Sequence, residues 1–224
     1  SMARPFLADP HLVIKAMDGR SDEINTCIAC NQACLDHTFQ LKISSCLVNP
    51  RACHETELKY LPTQNPKNIA VVGAGPAGMA YAHIAAMRGH QVTLYEASDK
   101  IGGQFNLAKV IPGKEEYSET IRYYEVMLNK FKVNIQFNRK VNASELIEQN
   151  YDHIILANGI IPRKLDIDGA NHPKVVSYAD VLQNKVTVGQ SVAVIGAGGI
   201  GFDVAEYLTH QAATEDQITN FLKE

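Results

Sequence analysis

Cys27, Cys30, Cys34 and Cys46 stand in the spacing C-x2-C-x3-C-x11-C, and they are the residues of this 224-residue chain best suited to redox chemistry. Three thiolates on one compact turn, with a fourth returned by a loop, can hold the corners of a cubane iron–sulfur cluster. Structural zinc more often uses two separated C-x2-C knuckles, and the second knuckle is missing, so the spacing favours [4Fe-4S] over zinc. The fifth cysteine, Cys53 beside His54, stands outside the pattern and reads as a small buried thiol. An odd, clustered set argues for metal or redox chemistry rather than disulfides.

A second chemistry is written in glycine. From Asn68 to Glu96 the chain reads NIAVVGAGPAGMAYAHIAAMRGHQVTLYE. Ile69 to Val72 is apolar and partly β-branched, long enough for a buried strand and too short for a helix. Gly73, Gly75 and Gly78 follow, then an alanine-rich helix from Ala77 to Arg88 closed by Gly89, then a strand from Gln91 to Tyr95. In such a βαβ unit the first glycine makes the tight turn and the second lets backbone amides approach a pyrophosphate. The third lets helix and strand pack closely, and the diphosphate lies on the positive helix end. An acid about 20 positions on is expected at the adenosine ribose, and Glu96 is there. Gly102 and Gly103, shortly afterwards, permit a further close approach of backbone to a dinucleotide and tilt the cofactor towards FAD.

A second fingerprint follows. Ser191 to Ile195 is predicted as a strand, Gly196, Gly198 and Gly201 as its turn, and the residues through Leu208 as a helix. Two fingerprints suggest two nucleotides, with hydride passing from a nicotinamide to a flavin. Glu224 stands at a tempting distance for the second ribose acid, but Thr214 and Gln217 form a capping-box pattern that places it on a helix. The second unit is therefore expected to be incomplete and the chain a slice of a longer protein.

The elements that must carry these sites predict an α/β fold. It comprises a Rossmann-like FAD-binding βαβ domain on a parallel sheet, an irregular Cys-rich iron–sulfur segment before it, and the start of a second, incomplete Rossmann domain after it. Helices are expected from Asp9-Pro10 through Lys15, from Glu115 to Lys130, from an Asn142 cap with Glu145 through Glu148, and from Ser177 to Leu182. Val133 to Phe137 reads as a strand, and Tyr151 to Gly159 as a buried strand ending in a small-residue turn. Tyr60 to Lys67, rich in Pro and Asn, reads as a linker. Composition agrees with a soluble core-forming chain: 46% hydrophobic, 20% charged and a net charge of −3. There is no basic face for nucleic acid, no secretory signal and no membrane-length apolar run, so a cytoplasmic location is expected.

Taken together, MARPFLADP, the four spaced cysteines followed by VNPRACHE, VVGAGPAG, IGGQFN, IPGKEE and VIGAGGIGFD make a specific set. On these motifs the whole chain resembles the bacterial NADPH-dependent 2,4-dienoyl-CoA reductases, within the group that includes trimethylamine dehydrogenase and the 2-enoate reductases. The resemblance implies residues 1–20 as the tail of a flavin-bearing TIM barrel, with Ala3 and Arg4 left from its FMN-phosphate site. It implies 21–65 as the iron–sulfur segment and linker, with Cys27, Cys30, Cys34 and Cys46 as ligands. It implies 66–188 as the FAD domain, with Gly73, Gly75, Ala77 and Gly78 at the pyrophosphate, Glu96 at the ribose, Gly103, Gln104 and Lys114 against the cofactor, and Val141 bonding adenine through its backbone. Residues 189–224 would begin the NADPH domain with Gly196, Gly198 and Gly201. Implied electron flow runs from NADPH to FAD, through the cluster to FMN, and on to a dienoyl thioester in fatty acid β-oxidation. The residues that bind and protonate substrate would lie in the barrel, so none is assigned here, and the 224 residues alone are expected to bind FAD weakly and to be inactive. The rival readings are the electron-input part of a related amine or enoate oxidoreductase, or a zinc-stapled nucleotide-binding scaffold.

Overall fold

The computed structural model describes residues 2–163 and 165–210. They form two units, one of residues 2–109 and 114–163 and one of 110–113 and 165–210. In the first unit, two short helices, α1 (Arg4–Ala8) and α2 (Leu12–Met17), lead through a 3-10 turn at Ser21–Glu23 to α3 (Leu35–Phe39). Then come β1 (Asn68–Val72), α4 (Pro76–Met87), β2 (Gln91–Tyr95), α5 (Phe105–Ala108), α6 (Tyr117–Lys130), β3 (Asn134–Gln136), α7 (Ala143–Glu148) and β4 (His153–Leu156). The second unit contains α8 (Tyr178–Leu182) and α9 (Gly199–Thr209). No helix among the described residues is long and apolar enough to cross a membrane.

The four strands form one parallel sheet in the order β3-β2-β1-β4. Side chains alternate across it. Ile69 and Val71 of β1 and Val92 and Leu94 of β2 enter a core with Met79, Ala82, Met127 and Leu128 from α4 and α6. Ala70 and Tyr95 face the other way, with Leu146 of α7 and the half-buried Val72, Val141 and Tyr151. Small residues on α4 let that helix lie close to the sheet, and each large side chain buried there contributes roughly 1.5–3 kcal/mol.

Most helices of both units follow the local sequence signals closely. β2 has the expected bounds, and α4, α6, α7, α8 and α9 differ from them only at their ends. Asn142 Oδ1 accepts the amide of Glu145 at 3.0 Å, so the expected cap is formed, and Ser177 Oγ accepts that of Asp180 at 3.1 Å as a further cap. Asp9-Pro10 does not open a helix. Asp9 is buried between α1 and α2, where Oδ1 accepts the His11 amide and Oδ2 meets Lys15 Nζ at 2.6 Å.

Three further expectations are corrected. β4 is shorter than the expected strand and largely exposed, because among the described residues it is the sheet's outer strand. Ser191 to Ile195 forms no strand, and its residues are exposed; an isolated apolar run has no ladder to join among the described residues. Cys53 is exposed rather than buried, in a turn where its φ is +63°. Thr214, Gln217 and Glu224 lie outside the described residues.

Candidate functional site

The thiols of Cys27, Cys30, Cys34 and Cys46 line one pocket together with the apolar side chains of Leu7, Ile28, Leu47 and Val48. The chain reaches this arrangement through left-handed residues: Ala29 has φ +54° and Asn31 φ +58°, which wrap the first three cysteines round one side. Ser45 N donates to Ala33 O at 2.6 Å and so brings the fourth cysteine back. Two asparagines fix the walls: Asn25 Nδ2 donates to Val48 O at 2.7 Å, and Asn49 Nδ2 to Leu7 O at 2.8 Å. Ala29 N donates towards Cys27 Sγ at 3.4 Å. Burial pushes the Cys46 thiol up from its ordinary range, the amides of Val48 and Asn49 oppose this, and Cys27 and Cys30 add to the rise.

All five cysteines are free. Among the described residues, no three metal-ligating side chains converge on a point that could hold one ion, although four thiols share the pocket. A single zinc draws its sulfurs to about 2.3 Å from one centre, whereas a cubane places each thiolate on a different corner. Four thiolate donors in one pocket are chemically suited to either kind of centre. Arg4 lines the same pocket, and its Nη1 donates to Asn31 Oδ1. Ala3 caps α1 at its start.

The first glycine loop shows why each residue is small. Gly73 has φ +105°, and a Cβ there would lie 2.4 Å from Ala157 O; a Cβ on Gly78 would lie 1.8 Å from Gly73 O. Gly75 differs: its φ is −75° and a Cβ would meet nothing within 4 Å. The protein tolerates a side chain at Gly75, so the open space over it fits a ligand lying against backbone, as a pyrophosphate does. Pro76 opens the twelve-residue α4 just beyond, with Ala77 exposed in its first turn. The amides of that turn and the helix dipole point towards the same space.

Around this loop the remaining expected residues are distributed as follows. Gly103, with φ +51°, approaches Gly75 so closely that a Cβ would lie 3.0 Å from Gly75 Cα, and Gly102 N donates to Ala74 O at 2.8 Å. The IGGQ turn is thus physically joined to the GAGPAG loop. Gln104 is exposed at the start of α5. Lys114, half-buried, precedes α6, and Val141 packs on the face of the sheet that holds Tyr95. Glu96 sits at the end of β2. One carboxylate oxygen accepts the amide of Ala74 at 2.8 Å and the other accepts Ser98 N and Oγ at 2.8 Å each. Glu96 therefore braces the glycine loop, a role that its spacing alone did not reveal, and it keeps acceptor capacity for a ribose hydroxyl.

The second loop repeats the plan in its own unit. Gly196 has φ +118°, a Cβ on Gly201 would lie 2.1 Å from Gly196 O, and one on Gly198 would meet nothing within 4 Å.

One contact with no sequence signal completes the arrangement. Arg122 of α6 reaches back to the stretch before Cys27, donating to the carbonyls of Asp22 and Ile24 and lying 3.4 Å from Thr26 Oγ1. Lys130 of the same helix meets Glu23 at 2.6 Å. Lys130 first, and Arg20 after it, hold the Glu23 carboxyl below its usual range against the opposing effect of burial.

Known proteins share this architecture. The profile of the family described as "Pyridine nucleotide-disulphide oxidoreductase" matches residues 67–220. A metal reductase of Desulforamulus reducens is 37% identical over 99% of this chain and 34% of its own length. A cinnamate reductase of Clostridium sporogenes is 34% identical over 94% of this chain and 31% of its own. A 2-naphthoyl-CoA reductase solved with 2-naphthoyl-CoA is 39% identical, with a TM-score of 0.89, covering 92% of this chain and 32% of that one. The chain spans about a third of the length of these relatives. With the glycine loop, its parallel sheet and these matches in agreement, this chain belongs to the pyridine nucleotide-disulphide oxidoreductase family, as a flavin oxidoreductase electron-transfer domain akin to those of enoate and aromatic-CoA reductases.

Proposed function

We propose that the chain is the electron-delivering part of a longer iron–sulfur flavoprotein that reduces a conjugated C=C bond in a CoA thioester of the 2,4-dienoyl-CoA type. On this reading Cys27, Cys30, Cys34 and Cys46 hold a [4Fe-4S] cluster. Gly73, Gly75, Ala77, Gly78 and Gly103 cradle the FAD diphosphate, with Glu96 at its ribose and Gln104, Lys114 and Val141 as further contacts. Gly196, Gly198 and Gly201 begin the NADPH site. FMN and substrate belong to a preceding barrel, to whose phosphate site Ala3 and Arg4 contribute. The bound cofactors supply hydride and single-electron chemistry. The chain's own residues bind the diphosphates at helix ends, brace the loop through Glu96, and hold four thiolates in one largely apolar pocket. The free thiols suit a reducing, cytoplasmic compartment, and the reading includes no nucleic-acid or membrane partner.

The observation that carries this reading is that four thiols share one pocket within the same unit as a complete dinucleotide loop. The similarity to a 2-naphthoyl-CoA reductase and a cinnamate reductase supports a conjugated acyl substrate. The test is iron, zinc and acid-labile sulfide content of anaerobically purified full-length protein, with its visible spectrum. About four irons and four sulfides per chain, with absorbance that bleaches on reduction, are expected. One zinc and no sulfide would overturn the reading. Consumption of NADPH should then depend on added dienoyl-CoA and should be absent from the 224-residue piece alone.

A further inference from the structure

We propose that Arg122 is a positioning residue that sets the spacing between the FAD site and the cysteine pocket, and so the rate at which electrons cross between them. The inference rests on the cluster and FAD assignments above. It begins from the double membership of α6. One face of that helix, Tyr123, Tyr124, Met127 and Leu128, is built into the core under the dinucleotide loop. Arg122, next to Tyr123, turns its guanidinium to the irregular segment that feeds the first cysteine. Nη1 donates to Asp22 O, Nη2 donates to Ile24 O at 2.8 Å and lies 3.4 Å from Thr26 Oγ1, and Nε donates to Glu119 at 2.7 Å. Thr26 is the residue before Cys27.

The chemistry of the contact is specific. A guanidinium is a planar fork with donors in fixed directions, so it can hold two carbonyls and a carboxylate at once; an ammonium cannot reproduce that arrangement. Arg122 reaches residues 96 to 100 positions earlier in the chain and touches none of the expected ligands of either cofactor. What it controls is where the segment carrying Cys27 lies relative to the sheet carrying the glycine loop. Each crossing moves one electron from reduced FAD to the oxidised cluster, with no bond made or broken at the cluster. Two crossings reoxidise one reduced FAD, its proton passes to solvent, and the flavin of the barrel takes each electron onward. Such a step depends on geometry and leaves nucleotide binding untouched. Such a crossing slows as the two centres are moved apart.

The test uses full-length holoprotein and the variants Arg122→Gln and Arg122→Lys. Rapid mixing with NADPH should show FAD reduction at the wild-type rate in both. Cluster reduction, followed by freeze-quench electron paramagnetic resonance, should slow severalfold in R122Q and less in R122K. Iron and sulfide content and the cluster's midpoint potential should remain those of the wild type. Hydrogen exchange should quicken for the amides of residues 22–28 in R122Q while those of β1 and β2 stay protected. Wild-type cluster reduction in R122Q would overturn the proposal, as would slowing that tracks lost iron or a shifted potential, because either makes Arg122 a stabiliser or tuner of the cluster rather than a spacer. If R122Q does not accumulate, R122K decides by the same criteria. Absence of iron and sulfide from the wild type would instead sink the functional reading itself, before any variant is compared.

Discussion

The two glycine loops are built to one steric plan and stand on different foundations. In each, the last glycine backs onto the carbonyl of the first, at 1.8 Å for a Cβ on Gly78 and 2.1 Å for one on Gly201, and the middle glycine is open. The first loop leaves a strand whose neighbours on both sides are hydrogen-bonded, with Val71 fully buried. The second follows Val192, Val194 and Ile195, all exposed and in no ladder. A tight βα turn is therefore a local property of its half-dozen residues, whereas a strand exists only when partners elsewhere in the chain supply the other half of each hydrogen bond.

The largest effect that would test this contrast is Gly78→Val. The added side chain meets the Gly73 carbonyl beneath a packed sheet, so chemical denaturation should show a loss of about 4 kcal/mol, against about 1 kcal/mol for Gly201→Val. Equal losses would mean that the second loop is as firmly founded as the first. Next, Leu128→Ala, at a wholly buried position, should cost about 3 kcal/mol through the cavity it leaves. Val194→Ala, at an exposed one, should stay within about 0.5 kcal/mol.

The pH dependence should also separate the two units. Burial foremost, with Lys15 adding to it, lowers the His83 pKa to about 4. Its ring lies among Tyr123, Tyr124 and Phe131, and Nε2 has no hydrogen-bond partner among the described residues. The folded state thus binds fewer protons than the unfolded one between the ordinary value, 6.5, and about 4. This contribution to stability is complete above that window and is lost as pH falls through it, by at most about 1.4 kcal/mol per pH unit. His83→Phe should flatten the slope for the first unit, as followed by tyrosine fluorescence across a pH series; an unchanged slope would place the titration elsewhere. The smallest effect concerns the helix caps. Asn142→Ala and Ser177→Ala each remove one bond of similar length. Each should cost about 1 kcal/mol, but only Asn142→Ala should shift the unfolding midpoint of the sheet-bearing unit.

What could be read from the sequence divides along the same line. The βαβ unit and the Asn142 cap are written in neighbouring residues, so their patterns carried over nearly intact. The exposure of β4 could not be read, because an apolar strand looks the same at the centre of a sheet and at its rim. Ser191 to Ile195 misled for a related reason: its β-branched residues state a preference, and a preference without a partner forms no ladder. Cys53 misled because its turn takes a positive φ that nothing in RACHE announces. The brace formed by Glu96 on Ala74 and the grip of Arg122 were invisible, since both end on backbone atoms, which every sequence offers everywhere.

The pairing of β1 with β4 also orders events in time. Asn68 bonds Asp152 across 84 residues, while Lys67 meets His90 across 23. Closing the longer loop costs about 1 kcal/mol more in chain entropy, so β1, α4 and β2 are set to assemble early and β4 to arrive late. Ala157, which lies directly under Gly73, arrives with β4. The nucleotide loop is thus shaped before its floor is laid. The refolding full-length protein should regain most of its helix signal while still unable to retain a flavin, and should acquire that ability in a slower step that excess flavin does not hasten.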